Sequence, residues 1–129
     1  MHRVLLAEDN KLNQIVAAGT LRKLGYDVEI VDGGVDAVRE CTQGQFDAVL
    51  MDIMMPDLDG YQATAEIRAL ETADGGFRTP IIGLSARAME GDREIALAAG
   101  MNDYLTKPLR EQDLHDTLRR WIGSPVVLQ

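Results

Sequence analysis

Two apolar runs in this chain end on acids: Val4-Leu5-Leu6-Ala7 runs directly into Glu8-Asp9, and Ala48-Val49-Leu50-Met51 ends at Asp52. Short apolar runs bounded by polar residues read as buried strands. Both would therefore deliver carboxylates at their C-terminal ends. Carboxylates gathered there repel one another and lose water, an arrangement that is costly unless a hard cation sits between them. Sparse carboxylates with room for water suit Mg²⁺ better than a fully caged Ca²⁺. Two more strand ends add Ser85, after Ile81-Ile82-Gly83-Leu84, and Lys107, which follows the run at 103 to 106 and precedes Pro108. A metal ion, an ammonium and a hydroxyl around one carboxylate are what phosphoryl transfer requires, because its transition state spreads negative charge over the equatorial oxygens. Asp52 is then the expected nucleophile and acceptor. Plainer readings stand beside these: a turn carboxylate for Asp52, a solvated lysine for Lys107 and a helix N-cap for Ser85.

The elements that must position these residues alternate. Apolar runs at 3 to 7, 27 to 31, 47 to 51, 81 to 84 and 103 to 106 are each followed by helical patterning, roughly at 11 to 24, 34 to 43, 60 to 71, 89 to 99 and 110 to 122. Five repeats of strand and helix, with strands apolar on both faces, predict an α/β fold with a parallel sheet between helices. Gly25 and Gly100 stand where C-cap glycines would, and Pro80 opens the fourth strand. Residues 71 to 79 read as a loop, and Asp57 and Asp59-Gly60 as turn chemistry with Asp59 able to cap the next helix. The expected division is one domain at 1–123 and a tail or linker stub at 124–129.

Composition narrows the function. The 129 residues are 46% apolar, enough for one core, and carry a net charge of −8, which disfavours direct binding to nucleic acid or an anionic membrane. Cys41 is the single cysteine, and it and the two histidines lack zinc-site spacing. With no signal-peptide pattern and no apolar stretch of spanning length, the expected setting is cytoplasmic.

In order along the chain, Leu6-Ala7-Glu8-Asp9-Asn10, Leu50-Met51-Asp52-Ile53-Met54-Met55-Pro56-Asp57-Leu58-Asp59-Gly60, Leu84-Ser85-Ala86 and Asp103-Tyr104-Leu105-Thr106-Lys107-Pro108-Leu109 resemble the receiver domains of two-component response regulators. The resemblance covers residues 3 to 122, and it is greatest to the receivers of hybrid sensor histidine kinases. It implies a doubly wound (βα)5 flavodoxin-like three-layer sandwich, its five-stranded sheet in the order 2-1-3-4-5. It also implies that Asp52 accepts a phosphoryl group from phosphohistidine. Mg²⁺ would be held by Asp9, Asp52 and the backbone carbonyl of Met54, with Glu8 acting through a metal-bound water. Lys107, after a cis bond to Pro108, would pair with the phosphoryl oxygens, and Ser85 would hydrogen-bond one of them.

Tyr104 is open between an aromatic switch and a strand aromatic with its hydroxyl in water. Met54 and Arg87 fall at rim positions that tune phosphoryl lifetime in such families. The implied partners are a histidine kinase or histidine phosphotransfer protein as donor, and a downstream protein or fused domain on the fourth helix, fifth strand and fifth helix, roughly Ala88 to Trp121. The domain would not be an enzyme in its own right, although it would promote its own phosphorylation and dephosphorylation.

Helix periodicity adds one expectation. Advancing about 100° per residue from Leu12 puts Asn13, Val16, Ala17, Thr20 and Leu24 on one broad core face and Ile15 opposite. Leu12, Ala18 and Gly19 flank Ile15, so an apolar patch is expected there, and the resemblance implies that it docks a histidine-bearing donor helix. Two competing functions are a receiver-like binding module that works without phosphorylation and a small α/β enzyme. The enzyme reading lacks a Ser/Thr/Gly-rich phosphate loop after strand one for a flavin, where the chain is acidic, and a second aspartate two residues after Asp52 for an aspartyl-phosphate hydrolase.

Overall fold

A computed structural model describes residues 2–73, 75, 78–86 and 89–122. The strands are β1 (Arg3–Ala7), β2 (Asp27–Val31), β3 (Ala48–Asp52), β4 (Ile81–Ser85) and β5 (Asp103–Thr106). Between and after them run α1 (Lys11–Lys23), α2 (Gly34–Gln43), α3 (Gly60–Ala73), α4 (Asp92–Ala98) and α5 (Glu111–Ile122). All four strand pairings are parallel, and the order is β2-β1-β3-β4-β5. This is the expected doubly wound order.

Period-two alternation in the interior strands builds two cores. Leu5, Ala7, Val49 and Met51 point to the face covered by Ala37 of α2, Ala63 and Ile67 of α3 and Ala96 of α4. Val4, Leu6, Ala48 and Leu50 point to the other, against Ala17, Ala18 and Leu21 of α1 and Leu114 and Leu118 of α5. Helices on both faces make the three layers. Apolarity on both faces holds for β1, β3 and β4. The edge strands β2 and β5 are only half-buried, because each lacks a neighbour on one side.

Three expectations about helices change. The α1 core face is Gln14, Ala17, Ala18 and Leu21, so Ala18 is buried at 1% exposure while Val16, expected inside, is 55% exposed. The phase was set by Leu12, an apolar residue that faces outward, whereas the inward row begins at a polar residue, Gln14. Helix α3 continues to Ala73 instead of giving way to loop at Glu71, held by the Arg68–Glu71 ion pair at 2.7 Å and by Thr72 Oγ1 donating to the Arg68 carbonyl. Helix α4 starts at Asp92, later than position 89, because Gly91 is left-handed at φ +89°. The expected tail at 124–129 lies outside the described residues.

The turn residues after β3 reach beyond their own loop. Asp59 and Gln62 exchange side-chain to backbone hydrogen bonds at 2.8 and 3.2 Å, a capping box for α3. Asp57 accepts from the amides of Gly34 and Val35 at 3.1 and 3.2 Å, so it caps α2, whose own N-cap, Gly33, has no side chain to do so. Cβ atoms at Gly33 and Gly34 would lie 2.6 Å from Asp57 and 2.1 Å from the Leu58 carbonyl. Asp57→Ala should therefore lower unfolding stability by about 1–2 kcal/mol, measured by urea denaturation.

Candidate functional site

Ligands of an open parallel sheet bind outside the carboxyl ends of its strands where the order reverses, here between β1 and β3. Ala7 pairs with Met51, so the next residues, Glu8 and Asp52, emerge at one level. One carboxylate oxygen from each of Glu8, Asp9 and Asp52 lies within 4.8 Å of the others. Glu8 and Asp52 are 2% and 4% exposed, while Asp9 is exposed. Lys107 comes from the loop between β5 and α5, where its bond to Pro108 is cis. Its Nζ stands 2.7 Å from Glu8 Oε1 and 3.2 Å from Asp52 Oδ2.

Three carboxylates face one ammonium, so negative charge is in excess. Burial, then the neighbouring Glu8 carboxyl, pushes Asp52 up to about 6, against the pull of Lys107. Burial also acts to raise Glu8, but the Lys107 ammonium and the Asn10 amide outweigh it and hold Glu8 below its usual range. Burial acts to lower Lys107, and Glu8 and Asp52 together reverse that. Glu8 thus has the stronger claim on the lysine, and Asp52 is left short of positive charge. Three hard oxygen donors around an uncompensated charge fit a divalent cation such as Mg²⁺.

The other expected residues fall around this cluster. Ser85 is buried at the end of β4, paired in register with Thr106, and its carbonyl accepts from the Lys107 amide at 2.7 Å. The Met54 amide donates to Asp52 Oδ1 at 3.3 Å, and its side chain is 74% exposed. Tyr104 is half-buried, and its hydroxyl reaches Asp92 Oδ2 of α4 at 3.4 Å. On α1, Leu12, Ile15 and Gly19 are exposed as expected, with Val16 in the place foreseen for Ala18. Arg87 and Ala88 lie outside the described residues.

Sequence reasoning missed Asp103 as an individual residue. At 3% exposure it accepts from Arg93 of α4 and from Arg120 and Trp121 of α5, at 2.9, 3.0 and 2.9 Å. Burial acts to raise its pKa, but hydrogen bonds from Trp121, the Tyr104 amide and Arg93 lower it on balance. An acid opening an edge strand was the one available signal. Its partners, ten, seventeen and eighteen residues away, were not legible.

The chain matches the response regulator receiver domain family over residues 4–119 and belongs to that family. It is 42% identical over 121 residues to the sensor protein GacS of Pseudomonas syringae pv. syringae, an alignment covering 94% of this chain and 13% of that protein. The chain thus spans a small fraction of its hybrid-kinase relatives. It is 52% identical to the receiver domain of the sensor histidine kinase PA1611 of Pseudomonas aeruginosa PAO1, solved with a magnesium ion coordinated in its active-site cleft, at TM-score 0.85 and covering 95% and 98% of the two chains. A Saccharomyces cerevisiae complex of the histidine phosphotransfer protein Ypd1 with the receiver domain of Ssk1 gives TM-score 0.88 at 31% identity, covering 93% and 88%. Among the described residues, no helix is long and apolar enough to cross a membrane.

The sign of the Asp52 shift has a measurable consequence. A carboxyl whose folded pKa lies above its unfolded value takes stability away as pH rises from about 4 through about 6. Without metal, Asp52→Asn should exceed the wild type in stability by roughly 1–3 kcal/mol at pH 7 and by little at pH 4, compared by denaturation at the two pH values. Adding Mg²⁺ should narrow the gap.

Proposed function

We propose that this chain is a phosphoacceptor receiver, with residues 1–123 as the working unit, which takes a phosphoryl group onto Asp52 from a phosphohistidine of a histidine kinase or histidine phosphotransfer protein. The observation that carries this reading is the short of charge, nearly buried Asp52, set between an acid cluster and the Lys107 ammonium. Asp9, Asp52 and the Met54 carbonyl would hold Mg²⁺, with Glu8 acting through a bound water. The ion supplies positive charge against the phosphoryl oxygens.

The remaining chemistry belongs to the protein. An Asp52 carboxylate oxygen attacks phosphorus, the phosphorus–nitrogen bond breaks, and the electron pair leaves with the imidazole, which is protonated. Lys107, whose Nζ already stands 3.2 Å from Asp52 Oδ2, meets the phosphoryl oxygens with its ammonium. Ser85 then donates its hydroxyl to one of them, and Tyr104 responds as the switch. Water attacking phosphorus breaks its bond to the Asp52 oxygen and releases inorganic phosphate, so the domain promotes its own dephosphorylation without being an enzyme for an external substrate. The donor helix docks on Leu12, Ile15, Val16 and Gly19, and the output leaves through α4, β5 and α5. The domain acts in the cytoplasm, either free or as part of a longer kinase.

Incubation with Mg²⁺ and acetyl phosphate should add one phosphoryl group by intact mass, acid-stable and base-labile, and Asp52→Asn should abolish it. A wild-type protein that binds Mg²⁺ yet stays unmodified would overturn the assignment in favour of a phosphorylation-independent binding module. Ile15→Asp should slow transfer from a phosphorylated donor protein at least tenfold while leaving acetyl phosphate labelling unchanged. Equal slowing of both reactions would remove α1 as the docking face.

A further inference from the structure

The acid pair stands on a three-residue connection, 8 to 10, between β1 and α1. Its backbone is tied to the end of β2, to its own side chains and to α1. The Glu8 amide donates to the Val31 carbonyl at 3.1 Å, the Asn10 amide to Glu8 Oε2 at 3.2 Å, and Asn10 caps α1 by accepting from the Asn13 amide at 3.0 Å. The peptide that joins Glu8 to Asp9 is held by a side chain of α1. Its carbonyl accepts from Gln14 Nε2 at 2.6 Å, and the same nitrogen donates to Asp32 Oδ1 at 2.7 Å, just beyond β2.

Gln14 is 6% exposed, on a helix face whose other inward residues are Ala17, Ala18 and Leu21. A buried amide there is costly unless its N–H groups find acceptors, and here both do. Because a peptide is planar, holding the Glu8 carbonyl also orients the N–H and Cα of Asp9. An ionised Asp32 only accepts hydrogen bonds, so it decides which end of the Gln14 amide faces the loops. Lys11 Nζ supports it at 3.4 Å.

We infer that Gln14 is a positioning residue for the metal-binding acids: it clamps the Glu8–Asp9 peptide to Asp32 on the neighbouring loop and so sets where the Asp9 carboxylate meets the cation. This rests on the reading of Glu8, Asp9 and Asp52 as a Mg²⁺ site. Gln14→Leu keeps the burial and removes both donors, whereas Leu21→Ala cuts the same α1 face and leaves the donors intact. Titration with Mg²⁺ alone should show Gln14→Leu weakened on the order of tenfold and Leu21→Ala weakened by less than about twofold, although Leu21→Ala is the less stable of the two.

In the metal-free protein, the Asp9 amide nitrogen resonance, which senses hydrogen bonding to its own peptide carbonyl, should move in Gln14→Leu and stay in Leu21→Ala. Asp32→Ala and Asp32→Asn remove the same charge from an exposed position, but only Asn keeps an acceptor, so Ala should weaken Mg²⁺ binding more. That pair decides the matter if Gln14→Leu does not fold. Wild-type Mg²⁺ affinity in Gln14→Leu, or losses in both α1 variants that merely track stability, would overturn the clamp. If the wild type itself binds no Mg²⁺, the metal reading fails, and the Asp9 resonance alone decides the clamp: a shift in Gln14→Leu upholds it, and an unchanged resonance overturns it.

Discussion

One ammonium among three carboxylates is the interaction on which the rest of this structure depends. Lys107 lies ninety-nine residues from Glu8 in sequence and 2.7 Å from it in space. Closing that distance requires β1, β3, β4 and β5 to stand side by side in parallel, so the sheet order and the charge cluster are one constraint. The cluster is under-neutralised, and burial makes that costly. In a structural ion pair this would be a defect. At the mouth of a doubly wound sheet it provides affinity for a hard cation and an acid with a raised pKa beside it.

The acids do not share the cost equally. Glu8 has the shorter contact with Lys107 and a lowered pKa, whereas Asp52 has the longer contact and a raised one. That asymmetry separates two environments within one cluster: an acid tied closely to the lysine and an acid left short of positive charge. The loops around them are stabilised by contacts between neighbouring connections. Asp57 caps α2 from the loop after β3, and Gln14 joins the loops after β1 and β2. The site is built on loops that brace one another above a dry sheet.

On the far edge, Asp103 gathers Arg93, Arg120 and Trp121, joining α4 and α5 to β5. Tyr104, the next residue, reaches α4 through Asp92. Lys107 directly follows that strand, and Ser85 of β4 pairs in register with Thr106 on it, so the acid cluster and the Asp103 contacts meet along β5.

The amino-acid order by itself determined the five strands to within a residue, the placement of acids, serine and lysine at strand ends, and the excess of negative charge. Those follow from local rules: apolar runs become strands, and polar residues collect where runs stop. The phase of α1 was not legible, because its inward row starts at a polar residue whose partners, the Glu8 carbonyl and Asp32, meet it only after β1 and β2 have paired. The burial of Ala18, the capping of α2 by Asp57, the role of Asp103 and the unequal sharing of Lys107 were likewise decided by tertiary structure. Each is a contact between segments far apart in the chain, and its energy depends on burial and distance, which no local pattern carries.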